Sequence, residues 1–311
     1  MSEVSAAVVV CTATRARTGL LLDCVDSILA GERWPDELLV VVDRNPELSA
    51  DLAARLPAWV RVLDSELGGL SNARNAGSRT ARSDVVAFVD DDVTVEREWL
   101  SALSAEFARD REVLGAGGPI EPRWGAERRW LCDELLWVVG CTYGGHRDDP
   151  GPIRNPIGAN MAFRREPLLS LGGFAAAFGK RGRTLGTCEE TELSLRLERA
   201  YGRGRIRYVP RARVRHFVPP ARISWRLLVR RSVSEGLSKG RLSRMYTGPA
   251  LATEGAYVRR LVMRALPALA LRAVRARDPG ALLSAAAVAV SLVLTGASFV
   301  AGAAAARGRE R

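Results

Sequence analysis

The chain has 311 residues, 47% hydrophobic and 26% charged, which places most of it among ordinary globular proteins with a sizeable core. Its net charge of +11 and pI near 10.3 admit nucleic acid, a membrane surface or an anionic substrate as partner. The acids lie mostly before residue 200 and arginine dominates after it, so the basic half is separable from the carboxylate-bearing half. The cysteines, Cys11, Cys24, Cys132, Cys141 and Cys188, form no Cys-x-x-Cys pair, which argues against a zinc site, and their odd number points to a reducing compartment.

In chain order, residues 6–11 are apolar and predict a first core strand; no basic flank precedes them, so they do not read as a secretion signal. Helical spacing follows over 20–30, then a strand over 38–42 that ends at Asp43. A helix near 47–56, a short strand near 60–63, a helix over 70–80 and a strand over 85–89 continue the alternation. Strands alternating with helices predict an α/β fold with a mainly parallel sheet, whose ligands bind at the carboxyl ends of the strands. Asp43 and Asp90–Asp92 stand at such ends. From 115 to 186 glycine and proline are frequent, and turns surround a few short elements. A helix over 189–201, short strands at 206–209 and 214–217, and a basic helix over 223–236 follow.

The C-terminal part differs. Residues 281–306 carry no charge and predict one helix, spanning roughly 39 Å at 1.5 Å per residue against a bilayer core of about 30 Å. Arginines flank both ends, so charge gives no orientation. A membrane-spanning or membrane-embedded helix and a soluble core or oligomer helix both remain open. Residues 259–277, RRLVMRALPALALRAVRAR, mix arginine with aliphatic residues; this suits an anionic lipid surface, and equally a solvated face of an ordinary helix.

Chemistry concentrates in four places. FVDDDV (88–93) runs a buried strand into three adjacent carboxylates. Carboxylates about 4–5 Å apart repel by roughly 3–4 kcal/mol at an effective dielectric near 20. A divalent cation, Mg²⁺ or Mn²⁺, held by carboxylates and a bound phosphate would resolve that; a solvated turn capping a helix that starts near Glu96 is the plainer reading. GGLSNARNAG (68–77) opens a helix with free N–H groups and Arg74, suited to phosphate; it also reads as a capped surface helix. In TCEETEL (187–193) a carboxylate can accept a proton from an attacking hydroxyl. Thr187-x-x-Glu190 also fits a capping box, and Glu192 with Arg196 a helix pair. His216, one of two histidines, is the fourth candidate.

Taken in order, VVVCTATRA, the Asp of VVVD, GGLSNARNAG, FVDDDV, IGANMAFRR, LGGF and CEETELSLRL resemble a family 2 glycosyltransferase of the GT-A fold, from about residue 6 to 217 and more loosely to 239. WLCDELLWVVGCTYGG, RNPIGANMAFRR and SEGLSK resemble more narrowly the branch that includes glucuronosyltransferases acting on glucosyl-dolichyl phosphate. The resemblance implies a GT-A domain over 1–220, with a nucleotide-binding half to about 115 and an acceptor half beyond it. A basic helical region over 221–275 and the candidate membrane helix over 281–306 would follow.

It also implies roles. Thr12, Thr14 and Arg15 would line the nucleotide pocket, and Asp43 would meet base or ribose. Gly69, Arg74 and Asn75 would contact the diphosphate or fix its loop. Asp90 and Asp91 would lie by ribose and sugar, Asp92 would bind the metal, and His216 would be a second metal or diphosphate contact. Gly158, Ala159 and Asn160 would border sugar and acceptor. The family's Glu-Asp pair is here Glu189-Glu190, which leaves open which of the two is the base. The implied reaction is inverting transfer from a nucleoside diphosphate sugar, a UDP-sugar first, to the hydroxyl of a lipid-linked or cell-envelope glycan. Arg222, Arg226, Arg230 and Arg231 would meet an acceptor phosphate or lipid headgroups. The expected place is the cell membrane, catalytic domain toward the cytoplasm, with no nucleic-acid partner. Two alternatives stand beside this: a nucleotidyltransferase of the same fold, which would release pyrophosphate, and a non-catalytic membrane-anchored nucleotide-binding protein.

Overall fold

The computed structural model describes residues 4–128, 130–179, 186–246 and 252–307. Its first strand, β1 (Ala6–Thr12), is buried along nearly its whole length, as a central parallel strand covered on both faces must be. It is flanked in parallel by β2 (Glu37–Asp43) and β4 (Val85–Asp90), and β3 (Arg61–Ser65) extends β2 in parallel. Beyond β4 the sheet becomes mixed. The antiparallel β9 (Asn160–Arg164) follows, then β6 (Gly115–Gly117), β10 (Ile206–Tyr208) and β8 (Gly151–Pro152), giving eight strands in the order β3-β2-β1-β4-β9-β6-β10-β8. The helices between the early strands are α1 (Thr18–Leu29), α2 (Pro46–Arg55) and α3 (Leu70–Thr80). Helix α3 approaches the sheet closely: a Cβ on Gly77 would lie 2.6 Å from Val9 Cγ1. Phe88 meets Phe174 edge to face at 5.3 Å, inside a core shared with Val9, Val41, Met161 and Phe163.

After FVDDDV the chain makes not a helix but a short strand, β5 (Val93–Val95); α4 (Trp99–Arg109) starts later than expected, so no Asp of the triplet caps it. A second sheet has the order β5-β11-β7, with β7 (Ile120–Trp124) and β11 (Val214–Val218). Helices α5 (Arg165–Ser170) and α6 (Glu189–Tyr201) complete this part. Residues 180–185, within the expected glycine-rich loop, lie outside the described residues, as do Arg309 and Arg311.

The chain divides into two compact units: Met1–Pro122 with Arg147–Thr184 and Glu189–Phe217, and Arg123–His146 with Leu185–Cys188 and Val218–Arg311. The second is largely helical. Its basic helix, α7 (Trp225–Met245), runs past the expected stop at Gly236, and Ser224 caps its start by accepting from Leu227 N. A continuous helical stretch follows: α8 (Ala252–Arg260), a π turn (Leu261–Ala265) and α9 (Leu266–Arg275). Helix α10 (Pro279–Arg307) is the long uncharged segment. By length and composition it is able to cross a membrane, and about a fifth of its apolar window, 22%, is buried.

Candidate active site

Parallel pairing brings the carboxyl ends of three strands level. Cys11 is opposite Asp90, and Thr12 opposite Val42, so Thr12, Asp43 and the Asp triplet emerge at one edge. Asp91 is buried there. It accepts from Thr12 Oγ1 at 2.7 Å and from Arg17 Nη1 at 2.5 Å. The same guanidinium nitrogen is 3.3 Å from Asp92 Oδ2. Burial pushes the Asp91 carboxyl above the ordinary range, although Arg17 and Thr12 pull the other way. Burial works against the charge of Arg17, but Asp92 and Asp91 more than offset it and raise its pKa.

Asp92 is held from the other side by the small sheet. Strand β11 pairs antiparallel with β5, His216 opposite Val93, and Phe217 N donates to the Asp92 carbonyl at 2.8 Å. This register puts His216 Nε2 3.1 Å from Asp92 Oδ1, both side chains buried. Asp90, Asp92 and His216 each offer one ligand atom within 4.8 Å of the others. Two carboxylates and an imidazole suit Mg²⁺ or Mn²⁺, so the residues fit a divalent cation.

Arg74, 2% exposed, ties a second carboxylate into the same region. It donates to Asp90 Oδ1 at 3.1 Å, to Glu189 Oε1 at 2.9 Å and to the Gly158 carbonyl at 2.8 Å. Its pKa is raised: burial opposes the charge, and Asp90 and Glu189 outweigh burial. Arg74 thus bridges protein carboxylates with its guanidinium. Glu190, next on α6, is half-buried and its carbonyl accepts from Ser194 Oγ at 2.6 Å. Cys188, just before the helix, has φ +78°, a conformation costly for a residue with a Cβ and concentrated at functional sites. The Thr187 hydroxyl reaches α7, 3.2 Å from Ser238 Oγ. The Glu192–Arg196 pair is present and bidentate, and Arg196 also caps the carbonyls of Leu171 and Gly173.

The remaining candidates make the following contacts. Asn75 donates to the Phe174 carbonyl at 2.9 Å and accepts from Phe174 N at 2.7 Å, so its amide fixes a loop. Asn160 is fully buried. It accepts from Trp99 Nε1 at 2.8 Å and donates to the carbonyls of Pro119 and Ala212 at 3.2 and 2.7 Å, which spends its amide away from the carboxylates. Ala159 is buried beside it. Asp43 Oδ2 accepts from Gly69 N at 2.8 Å, while Asp43 Oδ1 is buried without a partner among the described residues. Gly69 has φ +104°, which favours glycine there. Thr14 and Arg15 are exposed, Thr14 accepting from Ala16 N and Arg15 pairing with Glu47 at 3.4 Å. Arg17 was not anticipated from the sequence. The 3₁₀ turn Arg15–Arg17, not the spacing of TRARTG, decides which arginine faces the aspartates.

A mixed sheet with an acidic, cation-competent edge at its strand ends is the architecture of GT-A enzymes that bind nucleotide sugars. The fold is similar to that of mannosyltransferase PcManGT from Pyrobaculum calidifontis, solved with GDP-Man and Mn²⁺ (TM-score 0.60, 19% identity, covering 94% of this chain and 87% of that one). It is also similar to GalNAc-T7, solved with UDP, GalNAc and Mn²⁺ (TM-score 0.54, 20% identity, 70% of this chain and 44% of that one). Residues 7–172 match the family model for glycosyl transferase family 2. The chain is 31% identical over 243 residues to the glucosyl-dolichyl phosphate glucuronosyltransferase of Haloferax volcanii, covering 77% of each. It is 29% identical over 216 residues to the succinoglycan biosynthesis protein ExoM of Rhizobium meliloti, covering 66% of this chain and 64% of the relative. The chain belongs to glycosyl transferase family 2, and it is a glycosyltransferase that uses a nucleotide-sugar donor.

Proposed function

We propose that the protein is a metal-dependent, inverting transferase that moves a sugar from a nucleoside diphosphate, UDP first, to a hydroxyl of a lipid-linked glycan at the cytoplasmic face of the cell membrane. The observation that carries this reading is the buried Asp92–His216 pair beside Asp90, with Arg17 and Arg74 countering the surrounding carboxylates. Asp92 and His216, with Asp90, would hold Mg²⁺ or Mn²⁺. Such an ion would neutralise the diphosphate leaving group. The partnerless Asp43 oxygen would accept from a base or ribose, and Thr12 keeps Asp91 oriented.

Glu190 is the preferred base, because Glu189 is committed to Arg74. The acceptor hydroxyl gives its proton to a Glu190 carboxylate oxygen as its own oxygen attacks the anomeric carbon. The bond from that carbon to the diphosphate oxygen breaks on the opposite face, so configuration inverts and nucleoside diphosphate leaves. The dolichyl-phosphate name of the Haloferax relative and the apolar helix α10 support a lipid-linked acceptor. In this reading residues 1–220 carry the transfer and the later helices the membrane.

The test is a thermal-shift panel of nucleoside diphosphates and their sugars, with and without Mn²⁺, on wild type and Asp92→Ala. Stabilisation by one nucleotide that needs both Mn²⁺ and Asp92 is expected and names the base; its absence for every nucleotide overturns the donor-site assignment. With that donor, Glu190→Gln should lower turnover by roughly 10²–10⁴-fold and leave the nucleotide shift intact.

A further inference from the structure

Helix α10 does not lie alone in the second unit. Ser232 Oγ of α7 donates to Ser291 Oγ at 3.0 Å. A Cβ on Gly236 would collide with the Thr295 carbonyl, and one on Gly240 with the Phe299 carbonyl. The offset between partners is the same at all three places, so α7 and α10 run parallel, backbone against backbone, from Ser232 to Gly240. By that offset Arg230 of α7 is level with Ala289, and Arg241 with Val300. Between them, Lys239 pairs with Glu235 and with Glu254 of α8, each at 2.9 Å.

The face of α10 turned away from α7 has the opposite character. Leu282, Val293 and Val300 are 62, 70 and 67% exposed, and the same side carries exposed Ala286, Ala289 and Ala297 with no polar group among them. Helix α9, packed against α10, adds exposed Leu271 and Val274 among exposed Arg272 and Arg275.

We propose that α10 lies in the plane of one membrane leaflet, its exposed aliphatic face among the acyl chains and α7 above it at the level of anionic headgroups, and that it does not cross the bilayer. A crossing α10 would draw α7 to the same depth. Exposed Arg226, Arg230 and Arg241 would then sit in hydrocarbon, where an arginine is rare and costly. Lying flat, the pair puts its arginines where negative lipids attract them and its aliphatic face where water is excluded. The inference rests on the membrane reading of the proposed function.

The test uses the full chain. Flotation is measured with vesicles of phosphatidylcholine alone and of phosphatidylcholine with phosphatidylglycerol. Ala276→Cys, three residues before α10, and Ala305→Cys, in its last turn, are then labelled in sealed cell-membrane vesicles with a membrane-impermeant maleimide, against the wild-type background. Preferential flotation with phosphatidylglycerol, by about tenfold or more, and labelling of both cysteines from one side without detergent are the expected results. Labelling from opposite sides overturns the in-plane arrangement and leaves the membrane reading standing. Equal flotation with both vesicles overturns the headgroup contact. No flotation with either overturns the membrane reading as well, and sedimentation as a dimer would then assign the aliphatic face to a second copy of the chain.

Discussion

Arg17 shows how much a single side chain contributes to the acidic edge. It contacts Asp91 at 2.5 Å and Asp92 at 3.3 Å, and Asp92 is a carboxylate that would also hold the metal. A unit charge about 5 Å away is worth roughly 3 kcal/mol at an effective dielectric near 20. Arg17 is 31% exposed, and solvent screening reduces that figure. Arg17→Gln should therefore bind Mn²⁺ about tenfold more tightly in nucleotide-free protein. It should also melt lower than wild type in chelator, and regain the difference when Mn²⁺ is added. Titration calorimetry and melting curves check both; unchanged Mn²⁺ affinity would show that the guanidinium does not compete for the site. The aspartates themselves were legible in the sequence as a place for chemistry, because an apolar strand running into three carboxylates needs a positive partner or open water. The choice between Arg15 and Arg17 was not, because it depends on a single 3₁₀ turn. Nor was the commitment of Asn160 to Trp99, which comes from residues far apart in the chain.

At the level of elements, strands with continuous apolar runs were readable because a parallel sheet buries both faces of each strand. Strand β5 was not, since three residues carry no periodicity and its place is set by pairing with β11. The end of α7 was misread: the sequence reading stopped the helix at Gly236, yet Gly236 and Gly240 are the surface on which α10 packs. Gly240→Leu would push a side chain into the Phe299 carbonyl and force the helices apart. Overpacking of this kind costs about 1–3 kcal/mol, so the thermal midpoint should fall while the metal-dependent nucleotide shift survives. A midpoint equal to wild type would mean that the two helices are not in contact. The same helix carries Glu235. Burial alone would raise its carboxyl, but Lys239 at 2.9 Å holds it below the usual 4.5. A lowered folded value adds stability above pH 4.5 and loses it as pH falls through that value. Denaturant midpoints measured from neutral pH downward should therefore drop less steeply in Glu235→Gln than in wild type below that pH. Parallel curves would show that the ion pair adds nothing.

For the whole molecule, the net charge of +11 has two separate sources of meaning. In the first unit, arginines such as Arg17 and Arg74 are spent on carboxylates, and under the proposed function the rest of the acidic edge would take a metal and an anionic donor. In α7, Arg241 and Arg244 are exposed. If the first set serves chemistry and the second serves lipid, the two activities must separate under charge reversal. The double variant Arg241→Glu, Arg244→Glu should lose most flotation with phosphatidylglycerol vesicles near 0.15 M salt, where surface charges are felt over about 8 Å. Its nucleotide- and Mn²⁺-dependent thermal shift should match wild type, because no residue of the acidic edge is altered. Raising the salt should release wild type from the same vesicles and leave the variant nearly unchanged. Loss of the thermal shift together with flotation would mean that these arginines support the fold rather than face the lipid. Retention of flotation would place the lipid-binding charge elsewhere, on the arginines of α8 and α9.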